Sequence, residues 1–400
     1  MNANAGFADA ADPVQPDESC ALRTAQVCWS NTSPVAALHD VLGPGPFSFI
    51  SIMATPLADF QGVVAEARRV YPDTDVVACT TAGEITGAGY DEGTIVAIAF
   101  PAEDFASCSI LIEKVDDLDA QALVDQITLE RMGLQQRASK LPHSFGFLVV
   151  DGLSLSEDTL SATIAPALGD TQIFGGSAGD GTDFRQTLVG LNGRVADNAA
   201  VLTLVRTRLR TKVFSLDHLV PTGEQMVVTD ADPARRIVRA INAEPAAREY
   251  ARIVGKDPEQ LDRFTFAAHP VVVRIGDAHH VRAIQQVTED GDLVFFSAVD
   301  EGMVLTVAQP ENMVTHLERK LQELSTENAP SDIIGCDCIL RRIEAEQSQI
   351  VRAMSDVLSR HNVIGFSTYG EQIGPLHVNH TMSGVAFYPA DADETTHVAD

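Results

Sequence analysis

His377 and His380 stand three residues apart in "TYGEQIGPLHVNHT", directly after an apolar run and a glycine–acid turn. Imidazole is the commonest side-chain ligand of metals and a usual axial donor to non-covalently held haem iron, so this pair is the first place to look for cofactor chemistry. On an extended segment residues three apart point to opposite faces, and only one of the two can serve a given site. His377 is the better candidate for a metal or haem ligand because it shares a face with Asn379. Phe366, Tyr369 and Met382 are close enough in sequence to line a pocket around it. His269, biased toward extended backbone by Pro270, is an alternative donor. The plain alternative is a hydrogen-bonded histidine at the end of a strand. His279 and His280 fall at a hairpin turn in "GDAHH", and His316 lies among charged residues of a helix, which suits surface roles.

A second set of candidates sits in three turns. "DVVACTTAGEI" offers Thr81, Gly83 and Glu84; "FGGSAGDG" offers Gly175, Gly176, Ser177, Gly179 and Asp180; "NVIGFSTYGEQ" offers Glu371. Glycine lets backbone approach a ligand closely, so such turns can cradle a small anion or amino acid. They carry neither a Walker lysine nor a dinucleotide fingerprint. The three carboxylates read as equivalent, and Glu84 or Glu371 could act as acid or base, yet no nucleophile–base pair accompanies them. If φ is positive at Gly176, a β-branched residue there is expected to disturb folding. Cys336-x-Cys338 has one spacer where zinc sites have two or more, and reads as two small core residues on one strand face.

The turns end three segments of one plan: strand, amphipathic helix, strand, glycine turn, then another β-rich run. The first spans "PFSFISIMA" to "TAGE", the second "HSFGFLVVDG" to "AGDG", the third "SDIIGCDCILR" to "TYGEQ". Strands apolar on both faces joined by crossover helices imply an α/β fold of layered mixed sheets, with ligands at the carboxyl ends of strands. Residues 225 to 325 differ. "DPARRIVRAINAEP" and "EPAAREYARIVG" read as helices, and the β-branched alternation after them predicts an antiparallel meander in the C-terminal half. In "VRTRLRTK", Arg206, Arg208, Arg210 and Lys212 alternate as on one strand face. Residues 1–21 and 390–400 lack periodicity and read as a disordered leader and tail.

The chain has 400 residues, 45% of them hydrophobic, and a formal charge of −28. That charge disfavours nucleic acid and anionic membranes. No apolar run spans a bilayer and the first residues lack a signal peptide's pattern, so a cytoplasmic location is expected, with the six cysteines as thiols.

Together "CTTAGEI", "FGGSAGDG", the His-Pro to Glu-Gly pattern of residues 269 to 302, and "TYGEQ…HVNHT" resemble the FIST family over residues 22 to 389. The resemblance implies an N-terminal sensory domain over 22–224 and a C-terminal domain over 225–389. "FAAHPVVVRIG", "EGMVLTVA" and "CILRRIEAE" are most similar to the bacterial nitric-oxide-sensing subset. This implies a non-enzymatic sensor that binds haem b and nitric oxide or another diatomic gas, and regulates a partner such as a histidine kinase in a two-component system. It leaves room for a homo-oligomer. The alternatives are a non-haem, amino-acid-sensing protein of the same fold, and an enzyme using Glu84 or Glu371.

Overall fold

The computed structural model describes residues 21–275 and 278–389. The expected leader (but for Ala21) and tail, the Gly276–Asp277 turn and His397 fall outside them. The three repeated segments form three equivalent α/β units. In the first, strands Phe47–Ala54 and Asp75–Thr80 pair in parallel across helix Phe60–Val70, and Thr94–Pro101 returns antiparallel to the first strand. The second repeats this with His143–Val150, Glu157–Leu168, Gln172–Ser177 and Ala199–Thr207. In the third, Asp332–Cys338 and Val363–Thr368 are parallel and Met382–Tyr388 returns.

What joins the units is an exchange of hairpins. Hairpin Glu84–Thr86/Gly89–Asp91 of the first unit leaves its own sheet and pairs with Val363–Thr368 of the third. Hairpin Val189–Leu191/Arg194–Ala196 of the second pairs with Asp75–Thr80 of the first. Hairpin Glu371–Ile373/Leu376–Val378 of the third pairs with Gln172–Ser177 of the second, closing the cycle. The strands that connect the units follow the same rotation: Phe105–Glu113 extends the second unit's sheet and Arg210–Leu216 the third's. Arg23–Cys28 extends the first's. Each sheet thereby reaches six strands.

This arrangement explains strands that are apolar on both faces. One face of every sheet enters a shared core holding Phe49, Cys79, Phe147, Phe174, Cys336, Phe366 and Phe387. The other face lies under that unit's own helices, as with Ile50 and Ile52 beneath Val63, Val64 and Ala67. Helix starts follow ordinary capping chemistry: the Asp59 carboxylate accepts from the Gly62 N–H at 3.1 Å and Asn312 accepts from Thr315 at 2.9 Å.

Between the second and third units the chain inserts an eight-stranded sheet, with Leu219–Asp232 at its centre beside Val304–Pro310. The 224/225 boundary expected from sequence falls within the first of these strands. Three sequence readings change. The segment "DPARRIVRAINAEP", expected as a helix over 232–245, is a 3-10 turn, Pro233–Arg235, followed by strand Ile237–Ile241, whose β-branched and apolar residues pair with neighbours on both sides. The crossover helix of the third unit is two, Ile339–Gln347 and Val351–Arg360, broken where Gln349 takes φ +55°. Arg206 and Arg210 lie on two strands in different sheets, with Arg208 between them, because the chain changes units there.

Gly175 and Gly176 are interior to a strand, and Gly176 does not have positive φ. Their constraint is close approach. A Cβ on Gly175 would stand 1.9 Å from the Leu148 carbonyl oxygen, and one on Gly176 2.3 Å from Thr368 Cγ2. Gly365 repeats the first case against Gly335 oxygen at 1.8 Å. Gly175→Ala is therefore expected to cost about 3 kcal/mol or more, since the obstruction is backbone and cannot rotate away. Urea denaturation monitored by circular dichroism checks this; an unchanged midpoint would contradict the packing described.

Candidate functional site

Hairpin exchange brings the strand ends of one unit against the turn of another, and there the buried polar residues gather. Gln372, in the third unit's hairpin, reaches Ser177 Oγ at 3.0 Å and His377 Nδ1 at 3.2 Å. Ser177 Oγ lies 3.5 Å from Glu157 Oε1, and Glu157 Oε2 pairs with Arg236 Nη2 at 2.5 Å. Arg236 also donates to the Phe296 carbonyl at 2.5 Å and lies 3.5 Å from Asp158, which accepts from the Ala298 N–H at 3.2 Å. A continuous buried polar chain thus runs from the second unit, across the third unit's hairpin, into the inserted sheet. Glu157 and Asp158 occupy the first turn of their helix, where the helix dipole favours negative charge. Tyr369, Phe184 and Phe296 form an aromatic wall beside it, with centroids 4.4 and 5.9 Å apart.

Several atoms of this seam have no partner. They are Gln372 Oε1, Asn379 Oδ1, Ser161 Oγ, Ser297 Oγ and Arg282 Nε. Flipping the Gln372 amide exchanges which of its ends is orphaned and satisfies no more. Each unsatisfied buried group costs on the order of 1–3 kcal/mol. Buried polar groups are as a rule hydrogen-bonded, so such a concentration sets the seam apart from the rest of the interior. Arg236 and Asp158 with their partners, and Arg282, give the seam charges of both signs, and burial lowers the pKa of His377 while Glu157 and Asp158 oppose this. The seam meets solvent at Asp158, a quarter exposed.

The turn carboxylates do something else. Glu371 accepts from Thr368 Oγ1 at 2.5 Å, from Thr381 Oγ1 at 2.6 Å and from the Thr381 N–H at 3.3 Å. Glu84 repeats the clip with Thr81 Oγ1 at 2.5 Å and the Thr94 N–H and hydroxyl at 3.3 Å. Each ties its turn to the start of the return strand. In the second unit Asp151 takes that role, accepting from Thr187 Oγ1 and the Asn198 N–H. Asp180 is thus not the equivalent of Glu84: it accepts from the N–H groups of Phe184, Arg185 and Gln186, and from the Tyr369 hydroxyl, and holds the longer loop. Burial pushes Glu84 up to about 7 and Glu371 up to about 8, against the lowering effect of their threonine partners.

Two domain families match the chain: the FIST N domain over residues 48–244 and the FIST C domain over residues 246–374. The chain belongs to the FIST family. A search of curated proteins finds no match. In FIST terms, Ser177, Glu157 and Arg236 come from FIST N, and Arg282, Ser297 and Gln372 from FIST C, so the polar chain is the seam between them. His377 and His380 lie just beyond the matched part of FIST C.

The residues singled out from sequence divide accordingly. Ser177, Tyr369, His377 and Asn379 meet at the seam, the last two both against Gly370. Thr81, Glu84 and Glu371 form clips. Gly83 has φ +128° and sits under the Arg342 guanidinium, and Gly179 packs on Ala82. Phe366 and Met382 belong to the apolar cores, and Cys336 and Cys338 are fully buried among apolar residues. His269 caps a short helix and is half-buried. His279 is exposed, on a strand rather than at the turn itself. His316 is buried, not on the surface, and its Nδ1 has no partner.

His380 turns the other way, into a cluster the sequence reading missed. Its φ is +57°, and its Nε2 lies 2.9 Å from Glu344, which also meets His218 Nε2 at 3.0 Å. Among the described residues this is the one trio spaced to hold a metal ion. Its hydrogen bonds point elsewhere. Arg341 Nη1 is 2.9 Å from His218 Nδ1, and a guanidinium only donates, so the His218 proton sits on Nε2, facing Glu344. A ligating histidine needs that nitrogen bare and an acceptor at the other, whereas here the other faces a cation, and His380 Nδ1 has no partner. The trio is a latch: burial would raise Glu344, but the two histidines hold it near 2, and burial lowers His218 to about 4.

Nor do the surroundings of His377 fit haem as arranged. The ring is 2% exposed, its Nδ1 faces Gln372, and a Cβ on Gly370 would stand 2.7 Å from its Nε2. Two clefts of about 490 and 240 Å³ are lined by no histidine.

Glu371 carries a pH signature. Its folded pKa near 8 exceeds the ordinary 4.5, so the folded state binds the extra proton and this group's stabilisation fades as pH rises through 8. Glu371→Gln should gain stability relative to wild type between pH 6 and 8.5, by roughly 1–3 kcal/mol at the upper end. Urea midpoints across that range check it; a parallel pH dependence in both proteins would contradict it.

Proposed function

We propose that this chain is a sensor whose small polar ligand seats in the FIST N–FIST C seam, and that binding is passed to a partner signalling protein. FIST domains are sensory domains of signal transduction. The observation that carries the reading is the set of unpartnered atoms, Gln372 Oε1, Ser297 Oγ, Asn379 Oδ1 and Arg282 Nε, along one buried polar chain that both domains build. A ligand touching both domains acquires different contacts when they shift, which is the physical requirement for signalling. An amino acid is the ligand class of the non-haem alternative for this fold, and it suits a seam with buried charges of both signs. A histidine kinase is the partner class implied in the same way. Among the described residues no helix is long and apolar enough to cross a membrane.

The haem and nitric-oxide reading is the other proposal, and it requires the packing of Gly370 and Gln372 on His377 to open. The two are separable in one preparation. Thermal unfolding with each of the twenty common amino acids should show a rise in Tm of a few degrees with a subset of them, lost in Gln372→Leu. Haem titration should give no saturable Soret change. A stoichiometric Soret band that His377→Ala removes, with no amino acid effect, would reverse the choice.

A further inference from the structure

Arg282 ends the strand Ala278–Arg282 of the inserted sheet and is 6% exposed. Its Nη1 donates to the Val281 carbonyl at 3.2 Å, its Nε has no hydrogen-bond partner, and it joins none of the ion pairs among the described residues. Arg236 makes the contrast. It is equally buried, at 3%, and is paired with Glu157 at 2.5 Å and with the Phe296 carbonyl. A buried charge held by a carboxylate and by backbone is tolerable; one that is not held is strongly unfavourable.

The groups facing Arg282 define what would relieve it. Asp158 and Asp300 attract it from beyond contact distance, and Arg236 repels it. Asp158 is already occupied by the Ala298 N–H and Arg236. Ser297 Oγ, on the segment between Phe296 and Ala298, is a free hydroxyl, and Gln372 and His377 stand across the seam. The structure assigns Arg282 as the receptor for an anionic group, a carboxylate, on the seam's ligand, with the Ser297 hydroxyl as a second donor. This rests on the seam being the ligand site. Guanidinium binds carboxylate through paired N–H donors, and in a closed, water-poor seam that contact is strong. The opposite end of the same ligand meets acceptors, Gln372 Oε1 and the second carboxylate oxygen of the partly exposed Asp158, whose Oδ2 alone is taken by Ala298 and Arg236, and so carries N–H donors.

Two measurements test this, one without any ligand. In the ligand-free protein, Arg282→Met removes an uncompensated buried charge while keeping much of the apolar stem, so its urea midpoint should rise above wild type. Arg236→Met, which strands Glu157, should lower it. A fall for Arg282→Met comparable with that for Arg236→Met would show that Arg282 is a structural cation and overturn the assignment. The second measurement is calorimetric titration with the common L-amino acids and with their primary amides, which differ in the anionic group. Acids should bind at least ~10-fold more tightly than their amides, and Arg282→Gln should erase that difference. Amides binding as tightly as acids would overturn the role of Arg282 and leave the seam reading standing. Binding by neither acids nor amides to the wild-type protein would overturn the seam reading and this assignment together.

Discussion

A strand–helix–strand unit leaves one edge of its sheet unpaired, and in this chain every such edge is closed by a hairpin from another unit. Asp75–Thr80 is closed by the second unit, Gln172–Ser177 by the third and Val363–Thr368 by the first. Unpaired backbone groups cannot stay buried, so no unit is complete without its neighbours. The exchange also dictates the central core, where Phe49, Phe147 and Phe366 arrive from the three different sheets. It dictates the clips as well. A chain leaving its own sheet for another and returning must be held at the crossing, and Glu84, Asp151 and Glu371 do this with threonine or backbone partners. Their oxygens are occupied by that task, which leaves them poorly placed as acids or bases for a substrate.

The inserted sheet breaks this three-way symmetry. It enters between Arg210–Leu216 and helix Met313–Leu324, and lays Arg236 and the Phe296–Ala298 segment against the helix start of the second unit, with Arg282 beside them. Here the hairpin of the third unit, the helix start of the second and the insert converge on one polar chain, part satisfied and part not. On the opposite side of the same hairpin, His380 closes the latch of Arg341, His218 and Glu344, and Arg341 is anchored by Asp337, to which Tyr90 of the first unit's hairpin donates. His377 and His380, three apart, thus serve two different buried networks.

Much of the fold was legible in local sequence. The thrice-repeated plan and the glycine turns follow from periodicity. His377 and His380 do diverge, but because the strand ends at Val378 and His380 takes φ +57°, not through alternation along extended backbone. What was not legible is long-range. Nothing local says that "TYGEQ" pairs with residues near 175 rather than with its own sheet, so the turns read as ligand cradles when Gly175 and Gly176 are in fact packing contacts. Asp180 was aligned with Glu84 by its place after a glycine, yet the second unit assigns the clip to Asp151, some thirty residues earlier. His218, Glu344, Arg236 and Arg282 drew no notice because each sits alone in an ordinary setting: a link, a helix face, a turn and a strand end. The one available signal was charge within β-rich, apolar surroundings, "VVVRIGDAHHVRAI" being the clearest case.

The central claim is that the unpartnered atoms of the seam are ligand contacts. A crystal structure of the protein grown with the amino acid that most raises its melting temperature tests it most directly. The account predicts density for that molecule between Arg282 Nε, Ser297 Oγ and Gln372 Oε1, with its carboxylate on the arginine. Density elsewhere, with the three atoms bonded to ordered water in an unchanged seam, would contradict it.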